Sequence, residues 1–452
     1  MQTFDIAVIG MGPGGEHVAG TLAEAGLSVL GVERGLVGGE CPYWGCVPTK
    51  MMIRAANALQ EARRVPELAG RVGRVEPDWS IVAGRIREEA TDSWDDRTAA
   101  DRFTGKGGTL VRGTGRILAP GRLEVDGTEY AVRRGIVVNT GTSASVPPIP
   151  GLSEVPFWTN HELVEAESLP RSVVVLGGGA IACELGQVLA RFGVAVTMIE
   201  SETHLLSQEE PDVGTILRGV LESEGVRIHT GVEAERVRAE EEGVAVTLSD
   251  ATVVRAERVL VATGREADLA GVGLDAVGVD TSATSVPVDD RCRVADGVWA
   301  IGDITGKGAF THVSMYQAGI VVRDVLDQPG PAADYDALPR VTFSDPEIAS
   351  VGLTEAQARE RLASVAVGCT PLPETTRGWV HKVGNEGLIK VVADSGRGVL
   401  VGATVMGPGA GEVLGALAVA VHAEVPLDRM RSMIYAYPTF HRGIEDALGR
   451  LA

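Results

Sequence analysis

Two copies of one unit, a short apolar strand, a glycine turn and a helix, predict an α/β fold with two Rossmann-like domains. Mixed strand and helix patterns after residue 338 predict an α+β domain behind them. In the first copy Ile6-Ala7-Val8-Ile9 leads into Gly10-x-Gly12-x-x-Gly15, and in the second Val173-Val174-Val175-Leu176 leads into Gly177-x-Gly179-x-x-Ala182. Each continues to a second strand that ends in an acid: Glu33, with Arg34 beside it, after residues 27–32, and Glu200 after residues 194–199. In both copies 23 residues separate the first glycine from that acid. The glycines permit a tight turn and let a pyrophosphate approach the helix N-terminus, while the carboxylate accepts hydrogen bonds from ribose hydroxyls. One such motif also arises from packing alone; two with matched spacing and matched acids point to two dinucleotide sites.

A second parallel supports the repeat. Gly135-Ile136-Val137-Val138-Asn139-Thr140-Gly141-Thr142 closes the first module and Arg258-Val259-Leu260-Val261-Ala262-Thr263-Gly264-Arg265 closes the second, which makes Thr140, Gly141 and Gly264 further candidate contacts. Pro147-Pro148-Ile149-Pro150-Gly151 reads as the linker between them.

Composition narrows the function classes. With 41 basic against 61 acidic residues the chain carries a formal charge of −20, which repels a phosphate backbone and argues against nucleic acid as a partner. No apolar run approaches the roughly 20 residues that span a bilayer, and Met1-Gln2-Thr3-Phe4-Asp5 opens into a strand without a basic leader. A cytoplasmic enzyme with no membrane contact is the expectation. At 452 residues there is room for about three domains.

The stretch Gly38-Gly39-Glu40-Cys41-Pro42-Tyr43-Trp44-Gly45-Cys46-Val47-Pro48-Thr49-Lys50 follows the first dinucleotide fingerprint by one βαβ length, a combination that points to a flavin and a redox disulfide. An unbroken helix would set Cys41 and Cys46 about 7.5 Å apart along its axis, beyond the limit of about 7 Å between the Cα atoms of a bridge. The first turn is therefore expected to be distorted, with Pro42, Gly45 and Pro48 supplying the irregularity, and a bridge so strained reduces easily. Placement for packing or for zinc is the other reading, although zinc would want a second ligand pair that the sequence does not offer; no metal site is expected. Cys183, Cys292 and Cys369 read as small buried residues.

The redox stretch resembles that of the class I FAD-dependent pyridine nucleotide-disulfide oxidoreductases, the family of dihydrolipoamide dehydrogenase, glutathione reductase, mycothione reductase and mercuric reductase. The resemblance implies that Cys41 is the interchange thiol that meets substrate and Cys46 the charge-transfer thiol beside the flavin. It implies FAD in the first module and a nicotinamide nucleotide in the second. Val298-Trp299-Ala300-Ile301-Gly302-Asp303 resembles the segment whose aspartate bonds the flavin ribityl chain; the alternative is that Asp303 caps the helix carrying residues 312–326. Lys50 and Glu184 match positions that pair near the flavin edge, or are ordinary helix charges.

Residues 339–354 and 402–412 resemble the family's dimerisation domain, so the likeness covers essentially the whole chain. It implies an FAD-binding domain with the redox disulfide at 1–150, an NAD(P)-binding domain at 151–267, a central domain completing the FAD site at 268–337, and an interface domain of a homodimer at 338–452. The acidic run Glu200-Ser201-Glu202-Thr203-His204, with no Arg or Lys before Arg218, favours NADH over NADPH. His204 reads as a phosphate contact or as a solvated loop residue.

The chain departs from the family near its C-terminus. Tyr437-Pro438-Thr439-Phe440-His441-Arg442 stands where the thiol-linked reductases carry His-Pro-Thr with a Glu five residues after the His, so Tyr437 and Arg442 replace the proton-transfer pair. A phenol, with a reference pKa of about 10, is a poor base at neutral pH beside an imidazole of about 6.5. His441 either substitutes from one turn away or is a surface histidine on a helix beginning near Thr439. Mercuric reductases have a C-terminal cysteine pair, absent here because the last cysteine is Cys369. Tyr43 and Trp44, bulkier than the residues usual between the two cysteines of that family, are expected to narrow or aromatically line the substrate approach.

The expected function is passage of electrons from NADH through flavin and Cys41–Cys46 to a small disulfide or related acceptor. The competing readings are a quinone or electrophile reductase that uses flavin directly, a remote kinship with a branch that fixes carbon dioxide on a carbanion, and a redox-sensing nucleotide-binding protein.

Overall fold

A computed structural model describes residues 1–452, which divide into two compact units. The first comprises Met1–Thr49, Gly84–Ser145 and Arg265–Asp334. At its centre is a sheet whose main path runs Arg293–Ala295, Val298–Ala300, Thr128–Val138, Gln2–Ile9, Val29–Glu33, Thr109–Arg112, with the hairpin Gly115–Ala119 and Arg122–Val125 attached to Thr128–Val138. Gln2–Ile9 pairs in parallel on both sides, Ile6 opposite Val29 and Gly135, so Ile6, Ala7 and Val8 are wholly buried. That is why this strand reads as an unbroken apolar run rather than an alternating one. The helix Pro13–Glu24 follows with proline in its first turn, where the missing N–H costs nothing. Its Gly14 lies against Ser314 of the helix Thr311–Val325, and a Cβ there would come within 2.1 Å of the serine hydroxyl oxygen. Small residues thus let the two helices approach closely.

The second unit comprises Lys50–Ala83, Val146–Gly264 and Tyr335–Ala452. Its parallel sheet has the order Arg227–Thr230, Ala195–Glu200, Ser172–Leu176, Arg258–Val261, Phe157–Trp158. A three-stranded antiparallel sheet, Ala234–Glu240, Gly243–Leu248, Val253–Ala256, belongs with it. The C-terminal part is a five-stranded antiparallel sheet, Pro339–Thr342, Glu347–Gly352, Val399–Gly407, Leu388–Asp394, Val365–Pro371. The helix Ala410–His422 packs Leu414 and Leu417 into one core with Ile389, Val391, Ala403 and Val405. This is the α+β domain that the mixed pattern predicts. No helix is long and apolar enough to cross a membrane.

One local expectation needs correction. Cys183 and Cys292 are buried, but Cys369 is only half-buried, because its strand Val365–Pro371 is the edge of the C-terminal sheet. The helix expected to begin near Thr439 does so, as one turn of 3-10 helix at Phe440–Arg442 that continues as α-helix at Gly443–Gly449.

Candidate active site

The first glycine turn is closed by backbone. Gly10 has φ +92°, and a Cβ on it would sit 2.3 Å from the Asn139 carbonyl oxygen; one on Gly15 would sit 2.0 Å from the Gly10 carbonyl oxygen. Only glycine fits either position. The Asn139 amide donates to the Gly10 carbonyl at 3.1 Å and its oxygen accepts from the Ser314 hydroxyl at 3.2 Å, tying the turn to the end of Thr128–Val138 and to the helix Thr311–Val325. The Glu33 carboxylate accepts from the Met11 and Gly35 amides, each at 2.7 Å, so it is aimed before any ligand arrives, while Arg34 is exposed. Thr140 carries a buried hydroxyl oxygen without a partner. Beside it Gly141 adopts φ +65° and faces open space. A glycine cradle, a fixed carboxylate and an orphaned hydroxyl are what a dinucleotide such as FAD requires, and these residues fit it.

The loop carrying Cys41 and Cys46 lies directly on this turn. The Gly38 amide donates to the Met11 carbonyl at 2.7 Å, and Gly39, at φ +63°, approaches so closely that a Cβ would come 2.9 Å from Gly12 Cα. The helix expected to be distorted is broken outright: Glu40–Tyr43 forms one turn, Trp44 and Gly45 interrupt it, and a new helix starts at Cys46. The break brings the two cysteines together. The Cys41 thiol hydrogen-bonds to Cys46, and that bond together with burial pushes its pKa upward. Cys46 is exposed.

Thr311, the first residue of its helix, stands 3.4 Å from Cys46 Sγ through its hydroxyl oxygen and also hydrogen-bonds Cys41. Sequence reasoning missed both Thr311 and Asn139. Nothing local marks them, since their partners lie 265 and 129 residues away.

Asp303 does not cap the helix that follows, whose N-cap position is Phe310; it opens its own 3-10 turn, Asp303–Thr305. Its carboxylate accepts from the Thr142 hydroxyl at 3.1 Å. Arg265 in turn holds Thr142 through its hydroxyl at 2.8 Å and its carbonyl at 2.6 Å, and lies 3.5 Å from Glu40. Burial raises the Asp303 pKa against the opposing pull of Arg265 and Thr142.

In the second unit Gly177 repeats the closure, with φ +110° and a Cβ site 2.4 Å from the Ala262 carbonyl oxygen. Gly179 and Gly264 face open space. Glu200 accepts from the Glu202 amide at 2.8 Å and lies against Gly178, where a Cβ would meet its oxygen at 2.7 Å. Arg218 comes nearer than its place in the sequence implies: its guanidinium donates to Thr230 at 3.1 Å, and Thr230 is the register partner of Glu200. Glu222 holds the same guanidinium at 2.9 Å.

Lys50 and Glu184 are brought together at 2.9 Å, with Glu184 buried. The other carboxylate oxygen accepts from the Phe343 amide at 2.8 Å, and the Lys50 ammonium sits 4.7 Å above the Phe343 ring. Tyr437 is 65% exposed; its hydroxyl donates to Thr376 at 3.4 Å, and the Arg442 guanidinium stacks on its ring at 5.5 Å. His441 is half-buried, its ring 6.0 Å from that of the buried Tyr435. The structure thus places Tyr437 and His441 in the second unit and the two cysteines in the first.

The model of the pyridine nucleotide-disulphide oxidoreductase family matches residues 4–318, and that of its dimerisation domain residues 338–448. The chain belongs to this family. It is an oxidoreductase of the disulfide reductase type, from a family dependent on FAD and pyridine nucleotides. It is 33% identical over 458 residues to a mercuric reductase of Streptomyces lividans, covering 98% of this chain and 95% of the relative. To a dihydrolipoyl dehydrogenase of Chlorobaculum tepidum it is 32% identical over 456 residues, covering 98% and 96%. Among solved structures it resembles the HOCl-induced flavoprotein disulfide reductase RclA of Escherichia coli, with TM-score 0.85, 27% identity and coverage of 98% and 99%. LpdA of Mycobacterium tuberculosis matches with TM-score 0.86 at 25% identity, covering 100% of this chain and 99% of that one.

Proposed function

We propose that this oxidoreductase is a homodimeric, cytoplasmic FAD enzyme that passes electrons from NADH through a Cys41–Cys46 disulfide to a small disulfide or related acceptor. The observation that carries the reading is the broken helix, which sets two hydrogen-bonded thiols at the end of a loop packed on the dinucleotide turn. FAD held there supplies hydride acceptance and two-electron transfer. Gly10, Gly12 and Gly15 give room for its pyrophosphate, Glu33 and Arg34 face its ribose end, and Thr140, Gly141 and Asp303 complete its contacts. Gly177, Gly179, Glu200 and Gly264 do the same for the nicotinamide nucleotide. Glu184 fixes the Lys50 ammonium through a bond that leaves its other oxygen on the Phe343 amide. The division at residues 150, 267 and 337 into FAD, NAD(P), central and interface domains belongs to the same proposal.

A second reading is NADH-dependent reduction of a quinone or electrophile directly by flavin. Tyr437 favours it, since electron transfer from flavin needs no imidazole at that position. An acceptor screen with NADH separates the two: low-molecular-weight disulfides lead on the first reading, and quinones lead on the second and survive loss of Cys41. A protein that is colourless and takes up no FAD contradicts both.

NADH is expected to outpace NADPH by at least tenfold in kcat/KM, about 1.4 kcal/mol, because Glu200 repels a 2′-phosphate and Arg218 is already engaged by Glu222. Glu200→Ala should narrow that gap. A tenfold preference for NADPH in the natural protein would show that Arg218 reaches the phosphate instead.

A further inference from the structure

If Tyr437 stands where the family carries its imidazole, the proton of Cys41 needs another destination. The Cys41 thiol hydrogen-bonds to Cys46 and to Thr311, and Thr311 also touches Cys46 at 3.4 Å. The three side chains form a closed triangle. Of the charged neighbours in the sequence, Glu40 pairs with Arg265 at 3.5 Å and Lys50 with Glu184 at 2.9 Å. A threonine in a helix has two accessible side-chain rotamers, and its hydroxyl rotates to suit its acceptor. A hydroxyl donating to a thiolate makes a charge-assisted bond, stronger than one to a neutral thiol.

Resting on the reading of Cys41 and Cys46 as the redox pair, we propose that Thr311 is a catalytic residue of thiol-disulfide exchange. Its hydroxyl donates to whichever sulfur carries the negative charge, so that the pair moves its own proton without an outside base. In the reduced enzyme Cys46 is the thiolate and Cys41 the thiol. The Cys41 proton passes to Cys46 sulfur while the Thr311 hydroxyl swings from Cys46 to Cys41. The Cys41 thiolate attacks the substrate disulfide, forming a mixed disulfide and expelling one substrate thiolate, which takes the proton from Cys46. Cys46, again a thiolate, attacks Cys41 sulfur, closing Cys41–Cys46 and releasing the second thiolate, which takes a proton from water. Two electrons leave the dithiol and two substrate thiols form.

The test is the pH dependence of Cys41 alkylation by iodoacetamide in the anaerobically NADH-reduced, FAD-loaded protein, compared with Thr311→Val and Thr311→Ser. The valine variant should react about tenfold more slowly at neutral pH, its midpoint about one pH unit higher, and match the natural protein at high pH, where the thiols ionise unaided. The serine variant should stay within about twofold. Rates for Thr311→Val equal to the natural protein overturn the proposal. So does a serine variant as slow as valine, which would make the methyl group the important part; should Thr311→Val lose FAD, Thr311→Ala takes its place. Thiol counts in the natural protein before and after NADH isolate the underlying reading. No gain of two thiols sinks the redox pair, and the role of Thr311 with it, whereas a gain of two with indifferent variants sinks Thr311 alone.

Discussion

Cys46→Ser is expected to abolish NADH-driven disulfide reduction together with the long-wavelength charge-transfer absorbance, whereas Cys41→Ser abolishes the same turnover and keeps the absorbance. Both thiols are needed for exchange, because one attacks the substrate and the other resolves the mixed disulfide. The spectra separate them because the sites are unequal. Cys41 is half-buried and its thiol is pushed upward by the bond to Cys46 and by burial, so at neutral pH it is the sulfur that keeps its proton. Cys46 is exposed, starts a helix of 23 residues and has the Thr311 hydroxyl at 3.4 Å, a setting that favours a thiolate. Visible spectra after two-electron reduction check this directly. If Cys41→Ser loses the band and Cys46→Ser keeps it, the two roles are reversed.

Oxidation of dihydrolipoamide by the natural protein should be very slow, and Tyr437→His combined with Arg442→Glu should raise it about 100-fold, the lower end of what a positioned general base contributes. The two positions are already coupled in this chain. Arg442 stacks on the Tyr437 ring at 5.5 Å and pairs with Glu445 at 2.6 Å, so changing Tyr437 alone leaves a cation where the new imidazole needs a carboxylate. Glutamate at 442 removes the cation and supplies that carboxylate. Quinone reduction by the same double variant should be unchanged. His441 is the rival base: its ring faces Tyr435 at 6.0 Å. A natural protein that turns over dihydrolipoamide as fast as its best acceptor, and loses that rate in His441→Ala, makes His441 the base.

Much of the first module was legible because its signals are local and periodic. Gly10, Gly15 and Gly177 are readable because a turn that tight admits no Cβ, and Ile6 to Ile9 because a strand paired on both sides in parallel is apolar throughout. A distortion here with Gly45 in it was readable from the reach of a disulfide against the rise of a helix, but the full break at Trp44 and Gly45, with Pro42 and Pro48 inside the helical turns on either side, was not. What stayed hidden depends on approach between distant segments. Thr311 looks like any residue opening a helix until the fold carries it to Cys46, and Asn139 like any polar residue ending a strand until its amide reaches Gly10. Arg218 appeared remote from Glu200 by counting along the chain, yet the parallel pairing of residues 195–200 with 227–230 sets Thr230 opposite Glu200 and the arginine against Thr230. Cys369 reads as buried by residue type, whereas its exposure is set by lying on an edge strand. The ion pair of Lys50 and Glu184 was visible only through family resemblance, since two charges 134 residues apart have no local signature of pairing.

The most direct measurement is a thiol count under denaturing conditions on the FAD-loaded protein as isolated, and again after anaerobic reduction with one equivalent of NADH, with the alkylated residues mapped by peptide mass. Three reactive thiols are expected before reduction, Cys183, Cys292 and Cys369, and five afterwards, with the two new ones at Cys41 and Cys46. Five thiols at the outset that do not change on air oxidation and NADH reduction, in a protein that still oxidises NADH with a quinone, would contradict it and leave flavin as the sole route to the acceptor.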